Sequence, residues 1–428
     1  MPTVKNSVTS DGSHHPSPRI VDLVENKDQL AALATRFGTP FYLYDASLID
    51  LQVNALREVL PESEVFYSFK SNPNPAVAQV IRQNGCRADL TSTGEIAAAL
   101  AAGFDLSAAL YGGPGKSVEE LVSAINAGIR QFSVESENDL EALNMASDSA
   151  GKPVKALLRI NPKQAPKAKL AMSGVASQFG FEEDYLRGEG INLMERVGEK
   201  VSVVGVHIYW GTQIGDVEAL LNCFSETVRI ASEISGLMGF PIEILNQGGG
   251  FPWPYSKAGE GLDLSELKET LAALRADSNA EWWFESGRYL TARSGTLVTR
   301  VMDIKESKDE RLFLILDTGI HHLGGMSGLG RIPRFSIDIE VPENRKSNHE
   351  MTVDVVGQLC TPLDCIGRRI TIPKVEAGDL VTIPNTGAYG PTASVLGFLS
   401  RPTPAEIVHR DGEVIAATRL RSGHETIS

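Results

Sequence analysis

Eight short apolar runs recur between about residues 46 and 293, and a loop and a helix-patterned stretch follow each of the first seven. The runs are "EVFYSFK", "CRADL", "AALYGG", "QFSVE", "KALLRIN", "VVGVHIYW", "IEILNQGGG" and "EWWFE". Intervening stretches such as "STGEIAAALAAG", "SVEELVSAINAG" and "SENDLEALNMA" open on Ser with an acidic residue in the first turn, the pattern of a capped helix. Two of them stop on glycine, at Gly103 and Gly128. Strands that alternate with helices pair in parallel. About eight such units over roughly 250 residues are what a closed (β/α)8 TIM-like barrel requires. A doubly wound open sheet is the alternative.

The rhythm stops near residue 294. Beyond it come "TLVTRVMDIKE", "RLFLILD", "MTVDVVGQ", "RRITIP", "DLVTIPN" and "EVIAATR", bounded by Gly, Pro, Asn and Asp, which is all-β composition. "TPFYLYD" (39–45) is an isolated strand-like run ahead of the barrel. The expected organisation is a barrel over 46–293 and a C-terminal all-β domain built from 21–45 and 294–428. Residues 1–20 are polar, lack the apolar segment of a signal peptide and read as a disordered tail.

Charge narrows the partners. The 428 residues carry 54 Asp and Glu against 40 Lys and Arg, a net charge of -14, which disfavours nucleic acid. No apolar stretch is long enough to span a bilayer, so a cytoplasmic location is expected. The four cysteines, Cys86, Cys223, Cys360 and Cys365, have no metal-type spacing beyond the 360/365 pair, and no metal is expected.

A barrel gathers functional groups where its strands end. Reading those positions gives Lys70, Asp89, Arg159, His207 with Tyr209, Gly248–Gly250, and Glu285 with Arg288. Lys70 is the most demanding, because a buried ammonium is costly unless paired or chemically used. Strand alternation puts Phe66, Ser68 and Lys70 on one face, so the small Ser68 leaves room beside the amine. In "NQGGGFP" three glycines present backbone N–H groups without side-chain obstruction, suited to cradling phosphate. Arg288 supplies a counter-charge for that anion. An amine, a phosphate cradle and the Glu285 carboxylate fit pyridoxal 5'-phosphate: the amine joins the aldehyde and the carboxylate keeps the pyridine nitrogen protonated. A simple ion pair of Lys70 with Asp89 or Glu285 is the alternative.

From about residue 38 to 410 the chain resembles the fold-type III pyridoxal-phosphate decarboxylases, which include the ornithine, diaminopimelate and arginine decarboxylases. The motifs that carry the likeness are "YSFKSN", "ADLTSTGE", "GGPGKS", "LLRINP", "QFGF", "GTQ", "GGGF", "ESGRY", "GQLCTPLDC" and "NTGAYG". The resemblance implies an alanine racemase-like barrel plus a β-domain, with Lys70 as the covalent lysine, Asp89 near the cofactor and Arg159 beneath its ring. It implies that Thr212, Gly248, Gly249, Gly250, Gly287, Arg288 and Tyr389 surround the phosphate and that Glu285 meets the pyridine nitrogen. Cys360 becomes the proton donor to Cα after carbon dioxide leaves, entering from the partner subunit, so a homodimer with shared active sites is implied.

Departures from the family pattern bear on the substrate. Aligning "YWGTQ" with the usual "HIGSQ" puts Tyr209 where relatives stack a histidine on the ring; His207, on the same strand face, is the other candidate. Thr361 stands where ornithine and diaminopimelate enzymes carry an acid that holds a distal amine. "IHHLGGMSGLGRIPRF" lacks the arginine–tyrosine pattern of diaminopimelate enzymes. "GGPGKS", "VHIYWGTQ", "LCTPLDC", "NTGAYG" and "RPTPAEI" are similar to a subgroup acting on glutamate tethered to an acyl carrier protein in butirosin biosynthesis, or on citryl-diamino acids in siderophore pathways. The implied activity is decarboxylation of an acylated or carrier-tethered L-amino-acid moiety, with Thr361 and Asp364 near the substrate's far end; Arg331 and Arg334 are further candidates there, for which a solvated surface position is the stronger reading. Residues 163–180 are a candidate lid. The alternatives are a free amino-acid decarboxylase such as that for diaminopimelate, a racemase, or a non-catalytic partner-binding homologue.

Overall fold

The computed structural model describes residues 27–163, 170–171, 177–276, 278–324, 337–342, 349–421 and 423–426. The tail at 1–20, most of the 163–180 segment, and Arg331 and Arg334 lie outside the described residues. The chain opens with a helix, Lys27–Phe37, and strand β1, Phe41–Asp45. Eight parallel strands follow: β2 (Glu64–Ser68), β3 (Arg87–Leu90), β4 (Leu110–Tyr111), β5 (Gln131–Val134), β6 (Val154–Asn161), β7 (Val201–His207), β8 (Ile244–Asn246) and β9 (Glu281–Ser286). Each bonds its neighbour in chain order, and β9 pairs with β2 to close the ring. The closed barrel, and not the open sheet, is the fold.

The runs form strands because their alternation serves two layers. Phe66, Leu110, Leu157, Val204, Ile244 and Trp283 form a separate cluster inside the ring, with the Phe66 and Trp283 rings 4.5 Å apart. Their neighbours Val65, Tyr67, Leu158, Leu245 and Phe284 join the larger core under the outer helices. Two residues beyond the plug, on the same face of the strand, stand Ser68, Arg159, Asn246 and Glu285. One period of the pleat therefore separates an apolar floor from a polar mouth. Ser92, Ser117 and Ser136 cap their helices by accepting from Glu95 N, Glu120 N and Asp139 N at 3.1–3.2 Å, as the sequence pattern requires.

The second body is a mixed sheet of β1 with β10 (Gly295–Glu306), β11 (Leu312–Leu316), β12 (Glu350–Val356), β13 (Cys365–Pro373), β14 (Leu380–Ile383), β15 (Ala405–Arg410) and β16 (Glu413–Arg419). β1 lies between β10, antiparallel, and β15, parallel, so both ends of the chain build this sheet. Two features differ from the all-β expectation. β15, within "RPTPAEIVHR", follows two prolines that mask its strand pattern. The helix Lys27–Phe37 packs Leu30, Leu33 and Ala34 onto Phe41, Val298 and Ile407. No helix among the described residues is long and apolar enough to cross a membrane.

The two bodies are joined where it matters for the mouth. Residues 385–390, "NTGAYG", lie against the turn after β2 and the loop after β8. Asn72 Nδ2 donates to Gly387 O at 2.9 Å, Tyr389 N to Ser71 O at 2.6 Å, and Trp253 Nε1 to Asn385 Oδ1 at 2.9 Å. Asn72 Oδ1 also accepts from Asn74 N at 3.0 Å. Replacing Asn72 by Ala strands both buried partners, each at about 1–3 kcal/mol. Urea unfolding of Asn72→Ala is expected to show a lower midpoint, with a loss of about 2 kcal/mol or more; a wild-type midpoint would remove this joint from the account.

Candidate active site

β2 ends at Ser68, and Lys70 lies in a single 3-10 turn, Phe69–Ser71. The sequence reading that put Lys70 on the strand is corrected to this extent. The turn is closed by Ser71 Oγ donating to Ser68 O at 2.9 Å and lifts the lysine over the barrel mouth. Ser68 does more than leave room: its hydroxyl donates to Asp89 Oδ2 at 2.7 Å. Lys70 remains solvent-accessible among buried neighbours, as a side chain lining a cavity does. Its ammonium lies 5.4 Å from the Tyr209 ring centroid and makes no ion pair among the described residues, so the simple pairing with Asp89 or Glu285 is not found. Burial pulls the Lys70 pKa down, but the charges of Asp89, Tyr209, Tyr389 and Glu285 outweigh it and hold it above the ordinary value.

The carboxylates are held differently. Asp89 is pushed up to about 7, by burial first and then by the Glu285 charge, against the opposing pull of Lys70, Ser68 and Arg159. Glu285 Oε1 accepts from Asn246 Nδ2 at 2.8 Å and lies 3.2 Å from His207 Nε2, without hydrogen-bond alignment. His207 Nδ1 contacts Ser133 Oγ at 2.8 Å. Burial, with Arg159 nearby, holds His207 well below its usual range, so the ring is neutral. Arg159 pairs with Glu135, Nη1 to Oε1 at 2.8 Å, and lies over Phe179 at 4.9 Å. Of the two aromatic candidates, His207 is engaged by Ser133 and Glu285, whereas the Tyr209 ring faces the lysine.

The opposite side of the mouth suits an anion. A Cβ on Gly249 would lie 2.2 Å from Glu285 O, and one on Gly248 2.5 Å from Ile208 O; only glycine lets this loop run so close to its neighbours. Gly248 N is taken by Asn246 Oδ1 at 2.8 Å. The buried N–H groups of Gly249 and Gly250 have no acceptor among the described residues, an uncommon state unless something binds them. Nearby, Ser286 Oγ and Arg288 Nε are also buried without partners. Arg288 lies 4.8 Å over the Tyr389 ring and 5.3 Å over Tyr255. Tyr389 has φ 53°, a left-handed conformation that is costly without glycine, and is held there by Ser71 O and by Tyr255 OH, which donates to Tyr389 O at 2.8 Å. Thr212 lies beside Tyr209, and a Cβ on Gly287 would meet Ser71 at 2.8 Å. These unpaired donors, the free amine and the shielded carboxylate fit pyridoxal phosphate.

The structure thus brings Lys70, Asp89, Arg159, His207, Tyr209, Thr212, Gly248–Gly250, Glu285, Gly287, Arg288 and Tyr389 to one rim. Cys360, Thr361 and Asp364 lie elsewhere, on the turn between β12 and β13. Cys360 is exposed. Asp364 is not presented to a ligand, contrary to the reading that set it against the substrate. Its buried Oδ1 accepts from Ile320 N at 2.9 Å and its Oδ2 from Leu359 N at 2.8 Å, under Gly319 and Gly357, where a Cβ would lie 2.2 and 2.3 Å away. Sequence reasoning missed Ser133, Glu135 and Asn246. Glu135 ends the run "QFSVE" and Asp89 stands one residue from the end of "CRADL", so the same strand-end rule reaches it.

Residues 46–292 match the family described as pyridoxal-dependent decarboxylase, pyridoxal binding domain. The L-glutamyl-[BtrI acyl-carrier protein] decarboxylase of Niallia circulans is 34% identical over 400 residues, covering 90% of this chain and 93% of that one. The diaminopimelate decarboxylase of Aquifex aeolicus is 29% identical, covering 90% of each chain. The crystal structure of diaminopimelate decarboxylase from Helicobacter pylori complexed with L-lysine aligns with a TM-score of 0.81 at 25% identity, over 92% of this chain and 97% of that one.

Gly249→Ala tests the close approach of this loop. The added methyl forces the loop from β9, an overpacking worth about 1–3 kcal/mol. The expected outcome is a lower urea midpoint together with weaker retention of pyridoxal phosphate in equilibrium dialysis. A variant that matches the wild type in both would show that the loop accommodates a side chain.

Proposed function

The chain belongs to the pyridoxal-dependent decarboxylase family, and from that premise we propose that it acts on an L-amino-acid moiety whose far end is acylated or borne on an acyl carrier protein. It is a pyridoxal-phosphate-dependent amino-acid decarboxylase. Bound pyridoxal phosphate supplies the electron sink that accepts the electrons of the Cα–carboxylate bond.

The remaining work belongs to the chain. Lys70 would anchor the cofactor aldehyde. The N–H groups of Gly249 and Gly250, with Arg288 and Tyr389, would hold the phosphate, and Gly248, Gly287 and Thr212 would shape the space around it. Glu285, its Oε1 fixed by Asn246, would keep a proton on the pyridine nitrogen. Tyr209, Asp89 and Arg159 would hold the ring in place beside Lys70. Cys360 Sγ, exposed on the turn between β12 and β13, would give a proton to Cα in the site of a second copy of the chain. The anchor at Lys70 and the proton donor at Cys360 then serve different sites of the assembly. A homodimer with two shared sites supplies both.

The turn that carries Cys360 also supports the substrate assignment. Its single acidic side chain, Asp364, is committed to two backbone N–H groups, and Thr361 is neutral. The turn therefore offers no carboxylate to pair with a free distal ammonium, and burying such a charge unpaired is costly. A substrate whose far end is acylated carries no such charge. The carrier-tethered substrate named for the Niallia circulans relative is of this kind. Diaminopimelate is the second reading, favoured by the many relatives that bear its name at 29–31% identity.

Carbon dioxide release measured over free diaminopimelate, ornithine, lysine and glutamate, their acylated analogues, and glutamyl-loaded carrier protein separates the readings. Turnover is expected with an acylated or carrier-borne amino acid at least roughly tenfold above any free diamine, since one unpaired polar group is worth about 1–3 kcal/mol. Free diaminopimelate as the best substrate would overturn the assignment. For the shared site, Lys70→Ala and Cys360→Ala are each expected to be inactive. Mixing them should restore up to about a quarter of wild-type activity, the random-pairing share of hybrid sites in a two-fold dimer. No recovery on mixing would place both groups in one chain.

A further inference from the structure

One deeply enclosed cation of the barrel has no part in the chemistry above. Lys116, the lysine of "GGPGKS", has a side chain only 2% exposed, and its partner Asp139 is 7% exposed. An ammonium at that depth is unfavourable unless each proton finds an acceptor, and here each does. Nζ lies 2.5 Å from Gly113 O, 3.0 Å from Ser133 O and 2.7 Å from Asp139 Oδ2. Those three acceptors come from the loop after β4, from β5 itself and from the helix Glu137–Ala150 that follows it.

What these acceptors hold is the underside of the cofactor site. Along one branch, Lys116 fixes the Ser133 carbonyl, the Ser133 hydroxyl contacts His207 Nδ1 at 2.8 Å, and His207 Nε2 lies 3.2 Å from Glu285 Oε1. His207 Nε2 makes no aligned hydrogen bond to that carboxylate, so the Ser133 contact is what fixes the ring beside it. Along the other branch, Asp139 Oδ2 also accepts from Glu135 N at 2.9 Å. Glu135 Oε1 then receives Arg159 Nη1 at 2.8 Å and Gly113 N at 3.1 Å, and its Oε2 receives Gly180 N at 3.1 Å. Both groups assigned to the ring's underside and nitrogen, Arg159 and Glu285, therefore trace back to one buried ammonium.

We propose that Lys116 and Ser133 are positioning residues: through Ser133 the lysine holds the His207 ring beside Glu285, and through Asp139 and Glu135 it sets Arg159. The inference rests on the reading that Glu285 faces the pyridine nitrogen. Without the Ser133 hydroxyl the His207 ring loses its one aligned hydrogen-bonding contact among the described residues and can turn away from the Glu285 oxygen. The carboxylate then loses its place opposite the ring nitrogen, and the electronics of the bound cofactor change although no residue touching the cofactor has been altered.

The test uses the full-length protein loaded with pyridoxal phosphate and reads the visible absorbance spectrum of the bound cofactor and its dissociation constant. Ser133→Ala and Lys116→Met are compared with wild type, and Glu285→Gln is the control. Glu285→Gln should change the spectrum; if it does not, the assignment of Glu285 fails and the inference falls with it. Given that change, Ser133→Ala and Lys116→Met should shift the spectrum in the same direction and weaken cofactor binding about tenfold, the equivalent of one hydrogen bond. Decarboxylation should show kcat lowered by up to roughly 100-fold, as for a small misplacement, with KM little changed. Removing one partner of a buried ion pair can unfold a protein, so if Lys116→Met does not fold, Ser133→Ala decides. A wild-type spectrum in either folded variant, while Glu285→Gln is shifted, overturns the proposal.

Discussion

Eight parallel strands that pair in chain order and close on themselves must place all their carboxyl ends on one rim. Every backbone donor in the ring is then satisfied by a neighbour, and no edge is left to pair elsewhere. The rim is the consequence that the rest of the molecule uses. Because side chains alternate along each strand, an apolar plug of Phe66, Leu157, Ile244 and Trp283 is followed, one pleat higher, by Ser68, Arg159, Asn246 and Glu285. The same period that fills the barrel delivers polar groups to its mouth.

Gathering charge in so enclosed a place is unfavourable, and the site is organised around limiting that penalty. Four of the buried ions are paired or bonded. Arg159 has Glu135, Lys116 has Asp139, Glu285 has Asn246, and Asp89 has Ser68. Histidine 207 is kept neutral by burial among cations. Among the groups at the mouth that stay unpaired are the Lys70 amine, the N–H groups of Gly249 and Gly250, Ser286 Oγ and Arg288 Nε, beside the Gln247 amide and His207 Nε2. The first five are donors of the kind a phosphate-bearing aldehyde would engage.

How much of this was legible in advance varies by element. The eight runs, the serine caps and the strand-end residues Lys70, Asp89, Arg159 and Glu285 follow from local pattern, because pleat and cap chemistry act within a few residues. The strand β15 was not legible, since its prolines read as loop. The 3-10 turn at Lys70 was hidden because strand alternation carries on through it unchanged. Asp364 looked available to a ligand, since nothing in "CTPLDC" tells that Gly319 and Gly357 will close over it. Lys116 stood in a recognised motif, yet its role depends on the carbonyl of Ser133 and the carboxylate of Asp139, which only the fold brings to it.

By itself, then, the sequence determined the alternation of strands and helices, the presence of a second, β-rich body, and the kinds of side chain that end each strand. Those are properties of short windows, set by period, propensity and turn chemistry. Tertiary structure decided which of these groups meet. Asn72 and Gly387, 315 residues apart, bring the Tyr389 loop over Lys70, and barrel closure sets His207 between Ser133 and Glu285. Such distances are fixed by packing among remote segments, and a linear pattern carries no record of them.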